Sequence, residues 1–148
     1  MKKVMLLHGV NHNMFGKRDP KQYGTITLDE INKKVNDLAE ELGIEVTNFQ
    51  TNNEGEFIDK IHEAYLQGYD GVMLNAGAWT HYSHAIGDAL RILECPVIEL
   101  HMSNVHAREE FRHHSVISPI ASGIIVGLGS SVYTLGLRAF DDIFRGNN

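Results

Sequence analysis

Short apolar runs alternate along this chain with longer amphipathic stretches, and this alternation constrains the fold more than any other feature. Apolar runs of strand length occupy residues 4–7 and 71–74, and residues 96–100 are apolar except for Glu99. Between them, apolar residues recur every three or four positions, as they do over residues 31–42. Runs that are apolar throughout are typical of strands buried on both faces, and strands that alternate with helices are typical of a parallel sheet. The pattern therefore predicts an α/β fold.

Five β-α units can be read in this way. The predicted strands span residues 4–7, 45–51, 71–74, 96–100 and 123–126, and the predicted helices span 27–42, 57–65, 85–93, 103–114 and 132–143. Thr27 and Glu30 form a capping box at the first helix, and Gly43 is its expected end. The polar segment 11–24 is predicted to be a loop over an active site.

Five such units predict a flavodoxin-like three-layer sandwich with a parallel sheet of order 2-1-3-4-5. The 148 residues, of which 43% are hydrophobic, are expected to form one domain over residues 1–148. Ligands of such sheets bind outside the carboxyl ends of the strands, where the strand order reverses between strands 1 and 3. The residues that follow each strand are therefore the candidate site.

Charge and cysteine content exclude some partners. Thirteen Lys and Arg against nineteen Asp and Glu give a net charge of -6, which argues against a nucleic-acid or membrane-surface partner. The one cysteine, Cys95, cannot form an internal disulfide, which favours a reducing compartment. The apolar start is too short for a signal peptide and no apolar run approaches 18 residues, so a cytoplasmic location is expected.

Amides, hydroxyls, imidazoles and guanidiniums follow strands 1, 3 and 4. These candidates are Asn11, His12, Asn13, Arg18, Tyr23, Asn75, His81, His101, Ser103, Arg108 and Arg112. Such groups suit a small polyhydroxylated anion, because the guanidinium fork matches a carboxylate. Asn and Ser near glycines also cap turns, which is the structural alternative for each of them taken singly.

The sequence lacks the motifs that several other kinds of catalysis and binding require. Six of the nine histidines fall between His81 and His114, but these six form no His-x3-His pair and no His-Glu-x-x-His helix occurs, so we expect no metal site. No phosphate-binding glycine loop, complete dinucleotide fingerprint or Gly-x-Ser-x-Gly elbow is present, and His8 stands where a receiver domain needs an acidic residue. The lysines lie in polar segments, which disfavours Schiff-base chemistry.

General acid and base chemistry remains. Tyr23 lies five residues after Arg18, close enough for the cation to favour tyrosinate, although a loop tyrosine more often only packs its ring. Glu99 precedes His101 by two residues, on the same side of strand 4. A carboxylate there would orient the imidazole or favour its protonated form, which would make His101 a proton donor.

Four motifs resemble the type II 3-dehydroquinate dehydratase family. They are NHNMFGKRDP with Tyr23 and Gly24 at residues 11–24, NNEGEFID at 52–59, LNAGAWTH with AIGDA at 74–89, and ELHMSNVHAREEFR at 99–112. The last is the most specific, because packing gives no reason for so polar a string to recur. The resemblance extends from Gly9 to about Gly136.

The resemblance implies a flavodoxin-like subunit without metal or cofactor, assembled as a homododecamer, a tetramer of trimers. It implies trans-dehydration of 3-dehydroquinate to 3-dehydroshikimate through an enolate, in aromatic amino-acid synthesis by the shikimate pathway or in quinate breakdown. It makes Tyr23 the base, Arg18 the cation that holds the tyrosinate, and His101 the acid. Asn11 would position Tyr23 and a water that stabilises the enolate.

The remaining implied residues bind the substrate's hydroxyls and carboxylate. They are Asn75, His81, Asp88, Met102, Ser103 and Arg112, with Arg108 gating or supporting the loop. Some positions depart from the family pattern. His8, Val10 and His12 replace a usual asparagine, proline and leucine, Trp79 a commoner tyrosine, and Gly87 a commoner arginine. A paralogue that acts on a related polyhydroxylated keto acid, or only binds one, is the alternative.

Overall fold

A computed structural model describes residues 1–17 and 19–147 and shows a five-stranded parallel sheet in the order β2-β1-β3-β4-β5. The strands are β1 Lys3–His8, β2 Glu45–Gln50, β3 Gly71–Asn75, β4 Val97–His101 and β5 Gly123–Val126. The α-helices are α1 Pro20–Tyr23, α2 Leu28–Leu42, α3 Glu54–Leu66, α4 His84–Leu90 and α5 Ser131–Arg145. The predicted flavodoxin-like fold and strand order are confirmed.

Two apolar layers lie against the faces of the sheet, because consecutive strand residues point to opposite sides. On β1, Val4 and Leu6 join the cluster under α2 and α5, whereas Met5 and Leu7 join the cluster under α3 and α4. All four β1 residues are fully buried. The sheet is therefore covered on both faces, as the continuous apolar runs predicted.

Side-chain caps set the start of several helices. The Thr27 hydroxyl accepts from the Glu30 N–H at 3.2 Å, and Gly43 ends α2 with a φ of 71°, as predicted. The second predicted helix begins three residues earlier than expected, at Glu54, because the Asn53 side chain accepts from the Glu56 N–H. The third predicted helix, α4 in the structure, ends at Leu90 rather than at residue 93.

Two segments differ from the sequence-based expectation. The predicted loop over residues 11–24 contains the 3-10 helix His12–Met14 and the short helix α1. The helix predicted over residues 103–114 is instead two 3-10 helices, Val105–Ala107 and Glu110–His113. Arg108 separates them with an extended backbone, φ -113° and ψ -161°. Among residues 1–17 and 19–147, no helix is long and apolar enough to cross a membrane.

Candidate active site

A cavity lies beyond the carboxyl ends of β1, β3 and β4, where the strand order reverses. His8 at the end of β1 pairs with Asn75 at the end of β3, and β4 ends beside them at His101. The lining of the cavity includes these predicted residues: Asn11, Tyr23, Asn75, His81, His101, Met102, Ser103, Arg108 and Arg112. The cavity therefore lies where the strand-end rule predicts a ligand to bind.

Glu99 and Asp88, which are predicted site residues, are not part of this lining. Glu99 is buried behind His101 and touches the cavity only through that imidazole. Asp88 is exposed on α4 and does not line the cavity of its own protomer. Arg18 lies outside the described residues.

His101 and Glu99 form a buried acid-base pair. His101 Nε2 lies 2.6 Å from Glu99 Oε2, and the two side chains are 6% and 3% exposed. Burial alone would raise the pKa of Glu99, but the hydrogen bond and charge of His101, with hydrogen bonds from Ser118 and Ser115, hold that pKa below its ordinary value. Glu99 is therefore an anion in contact with the imidazole, and the pairing of these two residues is the one that the sequence analysis expected.

Tyr23 meets a cation on a distant segment. Arg108 Nη1 donates to the Tyr23 hydroxyl at 2.8 Å and to Ser103 Oγ at 3.1 Å, and its guanidinium carbon lies 5.3 Å from the centre of the tyrosine ring. A guanidinium at this distance stabilises negative charge on the phenol oxygen. The sequence analysis gave this role to Arg18, which lies outside the described residues, and did not anticipate the contact from Arg108.

Arg112 also lines the cavity, with its side chain mostly buried. Its Nε donates to Glu109 Oε1 at 3.0 Å, and Glu109 is largely exposed. The ion pair holds the guanidinium beside the cavity. An arginine in this position can bind the carboxylate of an anionic ligand.

Asn11 has the left-handed backbone conformation, with a φ of 69°. It is the one residue other than glycine with positive φ in the described part of the chain. Its N–H donates to Asn52 Oδ1 at 2.8 Å, and the same oxygen accepts from Gln50 Nε2 at 3.1 Å. The segment after β2 therefore holds Asn11 in a conformation that is uncommon outside glycine.

The amide of Asn75 is fixed at both ends. Its Oδ1 accepts from the Gly77 N–H at 3.2 Å, and its Nδ2 donates to the Tyr133 hydroxyl at 3.0 Å. Tyr133 is fully buried on α5. The sequence analysis missed this tyrosine, because a contact between residues 58 positions apart leaves no local pattern.

His81 is held as a neutral ring. Its Nδ1 lies 2.8 Å from the His114 carbonyl and therefore carries the proton that it donates. Burial lowers the pKa of His81, with the charges of His101 and Arg112 acting in the same direction, against the His114 hydrogen bond and Glu99. Nε2 is then the acceptor of the neutral ring, suited to a ligand hydroxyl.

The two other histidines near the site are buried. His12 Nδ1 accepts from the Gly9 N–H at 3.1 Å, and its ring stacks on Phe15 with centroids 4.6 Å apart. His8 Nε2 bonds Asn32 Oδ1 at 2.8 Å, and burial lowers the pKa of His8 to about 4. No three His, Cys, Asp or Glu side chains among residues 1–17 and 19–147 are arranged to hold a metal ion.

Comparison with known proteins identifies the family. The family model described as Dehydroquinase class II matches residues 2–141 of the 148. The chain belongs to the class II dehydroquinase family. A curated relative from Syntrophotalea carbinolica, named 3-dehydroquinate dehydratase, is 57% identical over 148 residues, which are 100% of both chains. One of the same name from Leptothrix cholodnii is 59% identical over 92% of this chain and 91% of its own.

Solved structures of class II dehydroquinases share the fold closely. The type II dehydroquinase of Butyrivibrio crossotus matches with a TM-score of 0.93 and 42% identity, covering 95% of this chain and 97% of its own. The type II dehydroquinase of Propionibacterium acnes matches with a TM-score of 0.92, also at 42% identity, over 95% and 97% of the two chains.

Two departures from the family pattern, Trp79 and Gly87, lie at buried positions. Trp79 is 6% exposed and packs edge-on against Phe57, with ring centroids 5.3 Å apart, so it fills an apolar position. Gly87 is buried, and a Cβ added there would lie 3.4 Å from the Val116 carbonyl oxygen. A Cβ at residue 87 would therefore be in ordinary van der Waals contact with the segment around Val116.

Proposed function

We propose that this class II dehydroquinase converts 3-dehydroquinate to 3-dehydroshikimate by acid-base elimination, with Tyr23 as the base and His101 as the acid. The observation that carries the proposal is that one cavity is lined by both groups, with a charged partner in contact with each. Arg108 contacts the Tyr23 hydroxyl, and the Glu99 anion contacts His101. The names of the curated relatives support the choice of substrate.

The first step is proton removal beside the ketone. The tyrosinate of Tyr23 takes the proton, the carbon–hydrogen bond breaks, and its electron pair becomes the enolate. Arg108, which donates to the Tyr23 hydroxyl, stabilises the tyrosinate before the transfer, together with Arg18, to which the resemblance gives this role. Asn11, in its fixed left-handed conformation, positions Tyr23 and a water that stabilises the enolate.

The second step expels the β-hydroxyl. The enolate electrons form the new carbon–carbon double bond, the carbon–oxygen bond breaks, and His101 gives its proton to the leaving oxygen so that water departs. The Glu99 carboxylate stabilises the imidazolium that makes this donation. The net change is loss of one water, and side chains alone supply the proton transfers.

Substrate binding is assigned to the remaining polar lining. Arg112 takes the carboxylate, while Asn75, His81 and Ser103 hold hydroxyls and Met102 contributes its backbone. Asp88 points to assembly: because it does not line the cavity of its own protomer, contact with substrate requires a neighbouring subunit. We propose the homododecamer on this ground together with the family resemblance.

The pathway and location follow from the same resemblance. We propose that the enzyme serves aromatic amino-acid synthesis by the shikimate pathway in the cytoplasm. Light scattering during gel filtration tests the assembly, because a dodecamer has twelve times the 16.6 kDa protomer mass. A monomer that turns over substrate would contradict the assembly and the Asp88 contact together.

Turnover of purified protein tests the reaction. Incubation with 3-dehydroquinate should produce the ultraviolet absorption of a conjugated enone. Tyr23→Phe should abolish that signal while retaining substrate binding. Tyr82→Phe is the control, because Tyr82 is 61% exposed, and it should leave turnover unchanged. A near-normal rate for Tyr23→Phe would refute the base assignment. Binding without turnover in the parent protein would favour a protein that only binds a keto acid.

Borohydride separates this route from lysine chemistry. A Schiff base would be reduced to a stable adduct that inactivates the enzyme. The proposed elimination forms no imine, so enzyme treated with borohydride and 3-dehydroquinate should keep its activity. Inactivation with a covalent adduct on a lysine would contradict the proposal.

A further inference from the structure

Two donors besides His101 hold the Glu99 carboxylate. Its side chain is 3% exposed, and it accepts from His101 Nε2 at 2.6 Å, Ser115 Oγ at 2.9 Å and Ser118 Oγ at 2.6 Å. A protonated carboxyl would donate its own hydrogen and would need an acceptor for it. His101, Ser115 and Ser118 cannot serve as that acceptor while each donates its own hydrogen to Glu99. The surroundings of Glu99 therefore suit the anion.

The turn at residues 115–118 fixes the direction of the hydroxyl bonds. Ser115 Oγ accepts from the N–H groups of Ile117 and Ser118, at 3.0 Å each. Both of its acceptor positions are then used, and its single proton is left for Glu99. The same turn places the Ser118 hydroxyl against the other carboxylate oxygen. One turn therefore presents two donors to one carboxylate.

The two oxygens of Glu99 have separate partners. Oε2 contacts His101 and Ser115, whereas the one hydrogen-bond partner of Oε1 among residues 1–17 and 19–147 is Ser118. Rotation of the carboxylate would break contacts at both oxygens, so Ser118 contributes to the orientation of the group that holds the imidazole. Ser118 itself lies outside the lining of the active-site cavity.

We infer that Ser118 is a positioning residue for the acid step: its hydroxyl keeps the Glu99 carboxylate charged and oriented, and Glu99 in turn orients His101. The inference rests on the proposed function of His101 as the acid. Ser118 acts through Glu99 and has no contact with substrate. Ser115 makes a parallel bond, but its hydroxyl also organises the turn, so Ser118 is the better position for a test.

Charge around Glu99 comes from several elements. The titratable and charged groups that share its surroundings are His101 on β4, His81 after β3, Arg112 on the second 3-10 helix, and His106, His113 and His114 on the segment that follows β4. Arg112 is cationic and favours the anion, as does the hydrogen bond from His101, whereas His81 is held neutral. Loss of the Ser118 bond therefore weakens a preference for the anion that the other groups still support.

Three variants test the inference. Ser118→Ala removes the hydroxyl, Ser118→Thr keeps it, and Ser122→Ala is the matched control, because Ser122 contacts the Val97 N–H of the same strand at 3.3 Å without reaching Glu99. Ser118→Ala should lower kcat about tenfold, with KM within about twofold of the parent, as expected for loss of one charge-assisted hydrogen bond. The acid limb of its kcat profile should move to higher pH, because Glu99 then takes up a proton at higher pH.

The outcomes distinguish positioning from folding. Ser118→Thr should recover most of the lost kcat and Ser122→Ala should match the parent, with melting temperatures showing that all variants fold. Parent-like kcat and an unshifted acid limb in folded Ser118→Ala would overturn the inference, as would equal losses in Ser118→Ala and Ser122→Ala.

A second readout does not depend on turnover. Carbon-13 NMR of carboxyl-labelled glutamate, with Glu99 assigned from a Glu99→Gln variant, reports the Glu99 titration directly. Its midpoint should lie at higher pH in Ser118→Ala than in the parent or Ser118→Thr, and equal midpoints would overturn the inference. If the parent fails to dehydrate 3-dehydroquinate, the proposed function fails, while this titration still decides whether Ser118 holds the Glu99 anion.

Discussion

Arg108 Nη1 lies 2.8 Å from the Tyr23 hydroxyl oxygen, although the two residues are 85 positions apart in the chain. Tyr23 is the last residue of α1, and Arg108 lies between the two 3-10 helices that follow β4. The contact joins the segment after β1 to the segment after β4 across the cavity. It places a cation against the phenol oxygen that is proposed to remove the substrate proton.

Removing this cation should slow catalysis. A hydrogen bond to a charged group contributes about 1.5–3 kcal/mol, so Arg108→Met should lower kcat by a factor between about ten and about one hundred. Arg138→Met, at an exposed position on α5, is the matched control and should be neutral. Steady-state kinetics at several pH values measure the effect. Parent-like kcat in Arg108→Met would show that Arg108 does not assist Tyr23.

Asn52 should matter through the backbone of Asn11. Asn52→Ala removes the oxygen that accepts the Asn11 N–H, at a cost of about 1 kcal/mol, and we expect kcat to fall about fivefold. Asn52→Asp keeps an acceptor and should retain most of the activity. Asn36→Ala is the control, because it removes an exposed hydrogen bond between the side-chain amides of Asn36 and Asn48. If Asn52→Asp loses as much activity as Asn52→Ala, the acceptor is not the cause.

The layers and the position of the site could be predicted because they depend on local repetition. Consecutive residues on β1 alternate between the two apolar clusters, and strand ends necessarily meet at one edge of a parallel sheet. The Glu99–His101 pair was also predictable, since residues two apart on a strand share a face. Each of these inferences needs only a short stretch of sequence.

The remaining contacts depend on segments that are distant in sequence. Nothing near Tyr23 or Asn75 indicates that Arg108 and Tyr133 are their partners. The helix predicted over residues 103–114 was wrong for a related reason. Its polar residues show no apolar periodicity, and side-chain bonds such as that from Arg108 to Ser103 decide the local backbone.

Gly9 should not tolerate a side chain. A Cβ there would lie 2.6 Å from the carbonyl carbon and oxygen of Ala76, where the segments after β1 and β3 approach each other. Overpacking against backbone costs about 3 kcal/mol, which lowers Tm by about 10 °C in a domain of this size. Gly123→Ala on β5, where a Cβ meets nothing within 4 Å, should change stability by less than about 1 kcal/mol. Calorimetry of Gly9→Ala and Gly123→Ala checks this difference in stability, and equal Tm values for the two variants would contradict the prediction.

His8 should make the fold sensitive to mild acid. Its ring is fully buried, Nε2 bonds Asn32, and Nδ1 has no hydrogen-bond partner within the described part of the chain. Burial is the main cause that lowers the pKa of His8 to about 4, against an ordinary value of 6.5, and the bond to Asn32 opposes it. Between these two pH values the unfolded chain binds one proton more than the folded chain. The free energy of unfolding should therefore fall by about 1.4 kcal/mol per pH unit, or about 3 kcal/mol in all, as pH drops from 6.5 to 4.

Replacement of this one ring isolates its share of the acid sensitivity. His8→Asn removes the titrating group, so urea unfolding at pH 7 and pH 4.5 should show a smaller loss of stability on acidification than in the parent, whatever the offset at pH 7. His62→Asn is the control, because His62 is exposed on α3 in the folded chain and stays in solvent on unfolding. Equal acid losses in the parent and His8→Asn would contradict the prediction. A smaller loss confined to His8→Asn would identify the buried imidazole at the end of β1 as the source.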